Sequence, residues 1–257
     1  MSQIIRTENL LKSLNLLTVQ SMYKDTIKKA EKGNWGYKKF LTHLCECEFE
    51  DRKERKTRRL ITQSKLEKDK SYDLLDKKLL PEKIRRILPS LLEGDFVKKA
   101  ENVLAFGLPG RGKTHVVEAI AWELVLRHNY RVLFTATFKL VENLLAAKKN
   151  LELECHLKKL DRYDVIILDD IGYVQQSREE MEVLFTFLAE RYERKSIMIT
   201  SNLVFSQWEK IFKDPMTTMA AVDRLVHHSI ILEFPVRAIS IRAEKAKNNL
   251  NRKGDKK

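Results

Sequence analysis

Cysteine, proline and glycine are all scarce in this chain of 257 residues, which holds three, five and eight of them. The three cysteines, Cys45, Cys47 and Cys155, make no CxxC pair and no Cys/His cluster, so a metal site of that type is excluded. Cys45 and Cys47 fall inside a helical pattern and read as packing residues. No apolar run approaches the ~18 residues of a membrane span, and no apolar signal core is visible near the N-terminus. A reducing, cytoplasmic location without membrane contact is expected. Internal repeats and low-complexity tracts are also missing.

What is abundant is charge. Charged residues make up 33% of the chain, hydrophobic ones 43%, and the formal net charge is +13. A packed core is therefore expected, in one sizeable α/β domain with a smaller attachment. The positive excess is uneven. Residues 1–100 carry 24 Lys/Arg against 15 Asp/Glu, residues 101–236 carry 17 against 19, and residues 237–257 carry 8 against 2. A near-neutral middle between two basic flanks suggests chemistry in the middle and a polyanion at the flanks, although solvated helix faces have the same composition.

The pattern divides the chain into a basic helical domain (1–65), a polar-rich connector (66–100), an α/β domain (101–236) and a basic C-terminal tail (237–257). In the first, Val19, Met22, Tyr23 and Ile27 follow helical spacing, as do Tyr37, Phe40, Leu41, Leu44 and Cys45. Gly33-Asn-Trp-Gly36 is the expected turn between them. The second helix continues into a charged stretch where Arg52, Arg55, Lys56 and Arg59 share one face. With the apolar stripe ended, that face has no evident core to cover, and these four are candidate DNA contacts. Pro81, Pro89 and Gly94 punctuate the connector.

From residue 102 strands and helices alternate. Val103–Phe106, Arg131–Thr135, Val165–Leu168, Ser196–Thr200 and Ser229–Leu232 read as strands, with Thr137 and Ser177 as N-caps of two of the helices between them. A doubly wound, five-stranded parallel sheet follows, with ligands expected beyond the strand carboxyl ends.

Gly107-Leu108-Pro109-Gly110-Arg111-Gly112-Lys113-Thr114 fits the phosphate-binding pattern G-x-x-x-x-G-K-[ST] in the required strand-to-helix context. Its glycines let backbone amides wrap phosphate oxygens, and the helix starting near Lys113 points its positive end at the same anion. Lys113 can reach β- and γ-phosphates, and the Thr114 hydroxyl can ligate Mg²⁺. Asp169 and Asp170 close an apolar strand: Asp169 is suited to Mg²⁺, and Asp170 to orienting or deprotonating a water. By itself a strand-end Asp pair is weak, since Asp is common in turns. Asn202 closes another strand and either senses the γ-phosphate or is an ordinary turn residue. Arg224, beside Asp223, is either an arginine finger for a neighbouring subunit or a surface ion pair.

In this order the elements closely resemble the IstB family of AAA+ ATPases, the transposition helpers related to the DnaC helicase loaders. The resemblance rests on Gly107–His115, Arg131–Thr135, Leu140–Lys148, Leu168-Asp-Asp-Ile-Gly-Tyr173, Ser177–Glu180, Arg191-Tyr-Glu-Arg194, Ile199-Thr-Ser-Asn202, Phe205–Trp208 and Asp223–His228. It covers about residues 36–234, and it brings His115 into the nucleotide loop. It implies ATP and Mg²⁺ as ligands, with Lys113 and Thr114 on the nucleotide, Asp169 on the metal, Asp170 on the water, Asn202 as sensor and Arg224 as finger. It further implies a homo-oligomer that binds double-stranded DNA with little sequence preference and stimulates a partner transposase. A DnaC-like helicase loader is the alternative, and a small-molecule kinase is a weaker third. The chain departs from the family at Pro235–Arg242, where the role of Arg242 is open. Only Tyr72-Asp-Leu-Leu75 stands for an upstream adenine-contact patch, while Tyr173, His227 and His228 read as packing or interface residues.

Overall fold

The five apolar stretches become five parallel strands; the first, third and fourth are buried on both faces, and helices return the chain after the first three. The structure, a computed structural model, describes residues 3–172, 177–203, 225 and 228–235. The strands are β1 (Asn102–Gly107), β2 (Val132–Ala136), β3 (Val165–Asp169), β4 (Ser196–Ser201) and β5 (Ser229–Phe234), in the spatial order β2-β3-β4-β1-β5. Nine helices accompany them among the described residues: α1 (Gln3–Ser13), α2 (Leu17–Lys32), α3 (Tyr37–Ser64), α4 (Glu82–Leu92), α5 (Asp95–Lys98), α6 (Lys113–His128), α7 (Thr137–Lys149), α8 (Leu153–Leu160) and α9 (Arg178–Arg191).

Alternation along the strands divides the core between the two faces of the sheet. Val103, Ala105, Val165, Ile167 and Met198 pack with Ile120 and Leu124 of α6 and with Leu88 and Leu91 of α4. Leu104, Phe106, Ile166, Leu168, Ile197 and Ile199 pack with Leu140 and Leu144 of α7 and Leu184 and Phe187 of α9. Ser177 starts α9 with a reciprocal capping box, its hydroxyl accepting from Glu180 N–H and its own N–H bonding the Glu180 carboxylate. Arg191, at the other end of α9, is buried and donates to the carbonyls of Leu160, Tyr163, Asp164 and Ser196. It ties the α8–β3 turn to the start of β4. Burial lowers its guanidinium to about 10, partly opposed by Asp161 and Asp164, so it stays charged at neutral pH.

Three expectations change. Thr137 is not an N-cap: β2 runs straight into α7, Ala136 holds the cap position, and the Thr137 hydroxyl donates to the Asp169 carbonyl at 2.9 Å. The stretch read as a polar connector is packed into the core through Leu66, Leu75, Leu80, Ile84, Leu88, Leu91, Leu92 and Phe96. Three short 3₁₀ turns separate its first buried leucines, with Leu75 and Leu80 just after the second and third, and Pro89 lies inside α4 instead of ending it. The third change concerns the first sixty residues.

The chain divides into two compact units, residues 1–59 and 60–257. The first is helical, with Val19, Tyr23 and Leu44 buried and Leu11, Leu16, Met22 and Phe40 packed around them. Of the expected apolar faces, Ile27, Tyr37, Leu41 and Cys45 are exposed, Tyr37 at 96%. The buried face of α3 runs instead through Phe40, Leu44 and Glu48. Residue Leu16 gives α2 no side-chain cap. The Glu48 carboxylate takes over, accepting from the N–H groups of Thr18 at 2.9 Å and Val19 at 3.1 Å. An anion is thereby set at the positive end of α2.

Candidate functional site

Three neighbouring strands, β3, β4 and β1, bring their carboxyl ends together, and each ends in one of the predicted motifs. The loop leaves β1 at Gly107, whose φ is +150° and which pairs with Phe234 of β5. A Cβ at Gly107 would stand 2.6 Å from the Phe234 carbonyl oxygen, so only glycine lets the two backbones approach this closely. At the other end Gly112, with φ +88°, is the residue from which α6 starts.

Lys113 is 5% exposed, and its ammonium donates to Gly107 O at 2.7 Å, Leu108 O at 3.1 Å and Asn202 Oδ1 at 2.7 Å. The Thr114 hydroxyl donates to Asp169 Oδ1 at 2.9 Å. Asn202 bridges outward, its Nδ2 donating to Asp170 Oδ1 at 3.1 Å. Asp170 itself has φ +55°, left-handed for a residue with a side chain. These bonds link Lys113, Asn202 and Asp170 in one group and Thr114 with Asp169 in another, and Thr200 joins the two into a network that holds five of the predicted site residues. His115 follows in the first turn of α6.

The network also includes residues that the sequence reading left out. Thr200 Oγ1 donates to Asp169 Oδ1 at 2.7 Å and accepts from Asp170 N–H at 2.9 Å. Thr137 holds the Asp169 carbonyl. The available signal was a threonine inside an apolar strand, since Thr200 is fully buried. The two residues expected to hold a cation offer only oxygens, the hydroxyl of Thr114 and the carboxylate of Asp169. Such hard ligands fit Mg²⁺ and not a soft metal. Among the described residues there is no cluster of three or more His, Cys, Asp or Glu side chains suited to holding a metal. His228 instead lies 3.1 Å from Glu193 Oε1.

The four candidate DNA contacts differ from one another. Arg52 Nε bonds Glu48 Oε1 at 2.8 Å and its Nη2 the Asn15 carbonyl, while Arg55 pairs with Asp51 at 2.9 Å and Glu48 at 3.4 Å. Lys56 and Arg59 are exposed on α3. Arg224, Arg242, Tyr173, His227 and the Phe205–Trp208 segment lie outside the described residues.

A family profile described as IstB-like ATP binding protein matches residues 9–249. A Sinorhizobium fredii protein named as an insertion-sequence ATP-binding protein is 37% identical over 230 residues, or 89% of this chain and 77% of that protein. A Pseudomonas aeruginosa protein with the same kind of name is 34% identical, covering 88% of this chain and 85% of its own. Among solved structures, the DnaC helicase loader superposes with a TM-score of 0.55 at 18% identity, over 65% of this chain and 98% of that one. That likeness is one of fold, the α/β fold of AAA+ domains. No described helix is long and apolar enough to cross a membrane.

Proposed function

The chain belongs to the family of IstB-like ATP-binding proteins, and from that premise we propose that it hydrolyses ATP to control its own assembly on target DNA beside a partner transposase. One observation carries the enzymatic part: the loop lysine and threonine, the two strand-end aspartates and Asn202 are joined, by way of Thr200, in a single hydrogen-bond network.

In this reading the residues from Gly107 to His115 bind the triphosphate, with Lys113 directed at the β- and γ-phosphates. Thr114 and Asp169 hold Mg²⁺, which when bound screens the charge of the phosphates. Thr114 spends its hydrogen on Asp169 Oδ1 and keeps its lone pairs for a cation. Asp170 orients the attacking water and takes its proton, and Asn202 fixes the carboxylate that does so. Arg224 completes the site from a neighbouring subunit of a homo-oligomer.

The DNA-facing part rests on charge. Residues 1–100 carry a formal +9, obtained as 24 Lys/Arg less 15 Asp/Glu, and Lys56 and Arg59 are exposed on α3. Arg52 and Arg55 share the same face but also hold Glu48 and Asp51, so they contribute to DNA from a tethered position. The relatives' insertion-sequence names support a transposase as the partner.

The test is binding to duplex DNA with a non-hydrolysable ATP analogue, read by electron microscopy and by filter binding over a range of salt. Nucleotide-dependent assembly is expected, with affinity falling steeply as salt rises and with loss of assembly in Lys113→Ala. Assembly that ignores nucleotide, or a flat salt response, overturns the reading. Recovery of a hexameric helicase from cells in place of a transposase would favour the loader function.

A further inference from the structure

We infer that Thr200 is a positioning residue for the cation of this site. It sets how the Asp169 carboxylate is presented and holds Asp170 in its left-handed turn. The inference rests on the proposed nucleotide site and extends it to a residue with no assigned role.

The direction of each bond at Thr200 follows from elementary valence. An amide N–H can only donate, so the bond from Asp170 N at 2.9 Å makes the Thr200 hydroxyl oxygen an acceptor. The hydroxyl hydrogen is left for the other partner in reach among the described residues, Asp169 Oδ1 at 2.7 Å. A carboxylate oxygen accepts it without ambiguity. Thr200 is fully buried, so water is not at hand to take over either bond. Its own carbonyl accepts from Ile171 N–H at 3.1 Å, adding a third tie between the ends of β4 and β3.

Two consequences follow for the carboxylates. Asp169 Oδ1 receives two hydroxyl donors, from Thr114 and Thr200, which fixes the rotation of the carboxylate and presents Oδ2 as the oxygen for a cation or its waters. Asp170, with φ +55°, adopts a conformation that non-glycine residues keep only when their surroundings determine it. The Thr200 oxygen supplies that determination at the Asp170 N–H. A single hydroxyl thus orients the metal-holding carboxylate and the backbone of the water-orienting one.

The test titrates Mg²⁺ against the binding of a fluorescent, non-hydrolysable ATP analogue to the full chain, with a parallel titration in EDTA. Thr200→Val keeps the shape and loses the hydroxyl, whereas Thr200→Ser keeps the hydroxyl and loses the methyl. Thr200→Val is expected to need about tenfold more Mg²⁺, or beyond, for half-maximal binding, as for the loss of other groups that orient metal ligands. Its affinity in EDTA should match that of the unaltered protein, and Thr200→Ser should follow the unaltered protein in both titrations. An unchanged Mg²⁺ requirement in Thr200→Val overturns the inference. So does an equal loss in Thr200→Ser, or a loss that is as large in EDTA, because either would trace the effect to packing. If the unaltered protein binds the analogue without any help from Mg²⁺, the proposed site itself fails, and that result is separate from the behaviour of the variants.

Discussion

Glu48 shows how much one side chain can decide outside the nucleotide site. Burial by itself would raise its carboxyl, but Arg52 and the N–H groups of Val19 and Thr18 outweigh that and hold it below the usual carboxylate range. A depressed folded value means that its stabilisation is present above the unfolded value of about 4.3 and is lost as pH falls through the folded one. Glu48→Gln should therefore cost about 1–2 kcal/mol at neutral pH in urea denaturation followed by circular dichroism, with the gap closing on acidification below about pH 4. A constant gap across that range would show that the charge on Glu48 is not what stabilises α2. The sequence could show a row of arginines after Glu48, but not that two of them turn back on it. The partners Thr18 and Val19 lie 30 and 29 residues away along the chain, and nothing local announces the pairing.

Elements were legible where a period exists. β3 and β4 are buried on both faces and run into polar residues, so their limits and the motifs that follow them could be read directly. On α3 the apolar residues fall four apart on two adjacent faces, and only packing decides that Leu44 is buried while Leu41 is 63% exposed. The stretch 66–80 has no period, because its buried leucines fall between and after isolated 3₁₀ turns. Its anchor is the helix that follows the phosphate loop. Fully buried Glu118 of α6 accepts from Glu67 N–H and Lys70 Nζ, each at 2.8 Å. Burial raises the Glu118 carboxyl, with Lys70 and the Glu67 N–H only partly offsetting it. A raised folded value means that the charge on Glu118 costs stability once pH climbs past the unfolded value of about 4.3, and Lys70 limits the cost. Lys70→Met is expected to lose about 2–3 kcal/mol at neutral pH, a little below a fully buried pair because Lys70 is 24% exposed. The loss should shrink in acid as Glu118 takes up a proton. Chemical denaturation at pH 5 and pH 7.5 checks this, and an equal loss at both would assign the effect to packing of the lysine stem.

On the scale of the whole molecule, the family and the gathering of the candidate site residues were already contained in the motif order, because each motif closes a strand and the sheet gathers strand ends. Thr200 and Thr137 escaped because their importance lies in what they touch across strands. If Arg224 acts across subunits, Arg224→Ala and Asp170→Asn proteins should each turn over ATP poorly and regain activity when mixed, since each can supply what the other lacks. A mixture no more active than its parts would place Arg224 in its own subunit or in an ion pair with Asp223.

The strand order has one more effect, which concerns time. Among the described residues β2 and β5 have a neighbour on one side only, whereas β3, β4 and β1 are held on both. Local opening starts where fewest bonds must break. The candidate site is thus mounted on the three strands whose amides are expected to exchange with solvent last, so that the margins of the sheet can fray while the site keeps its geometry.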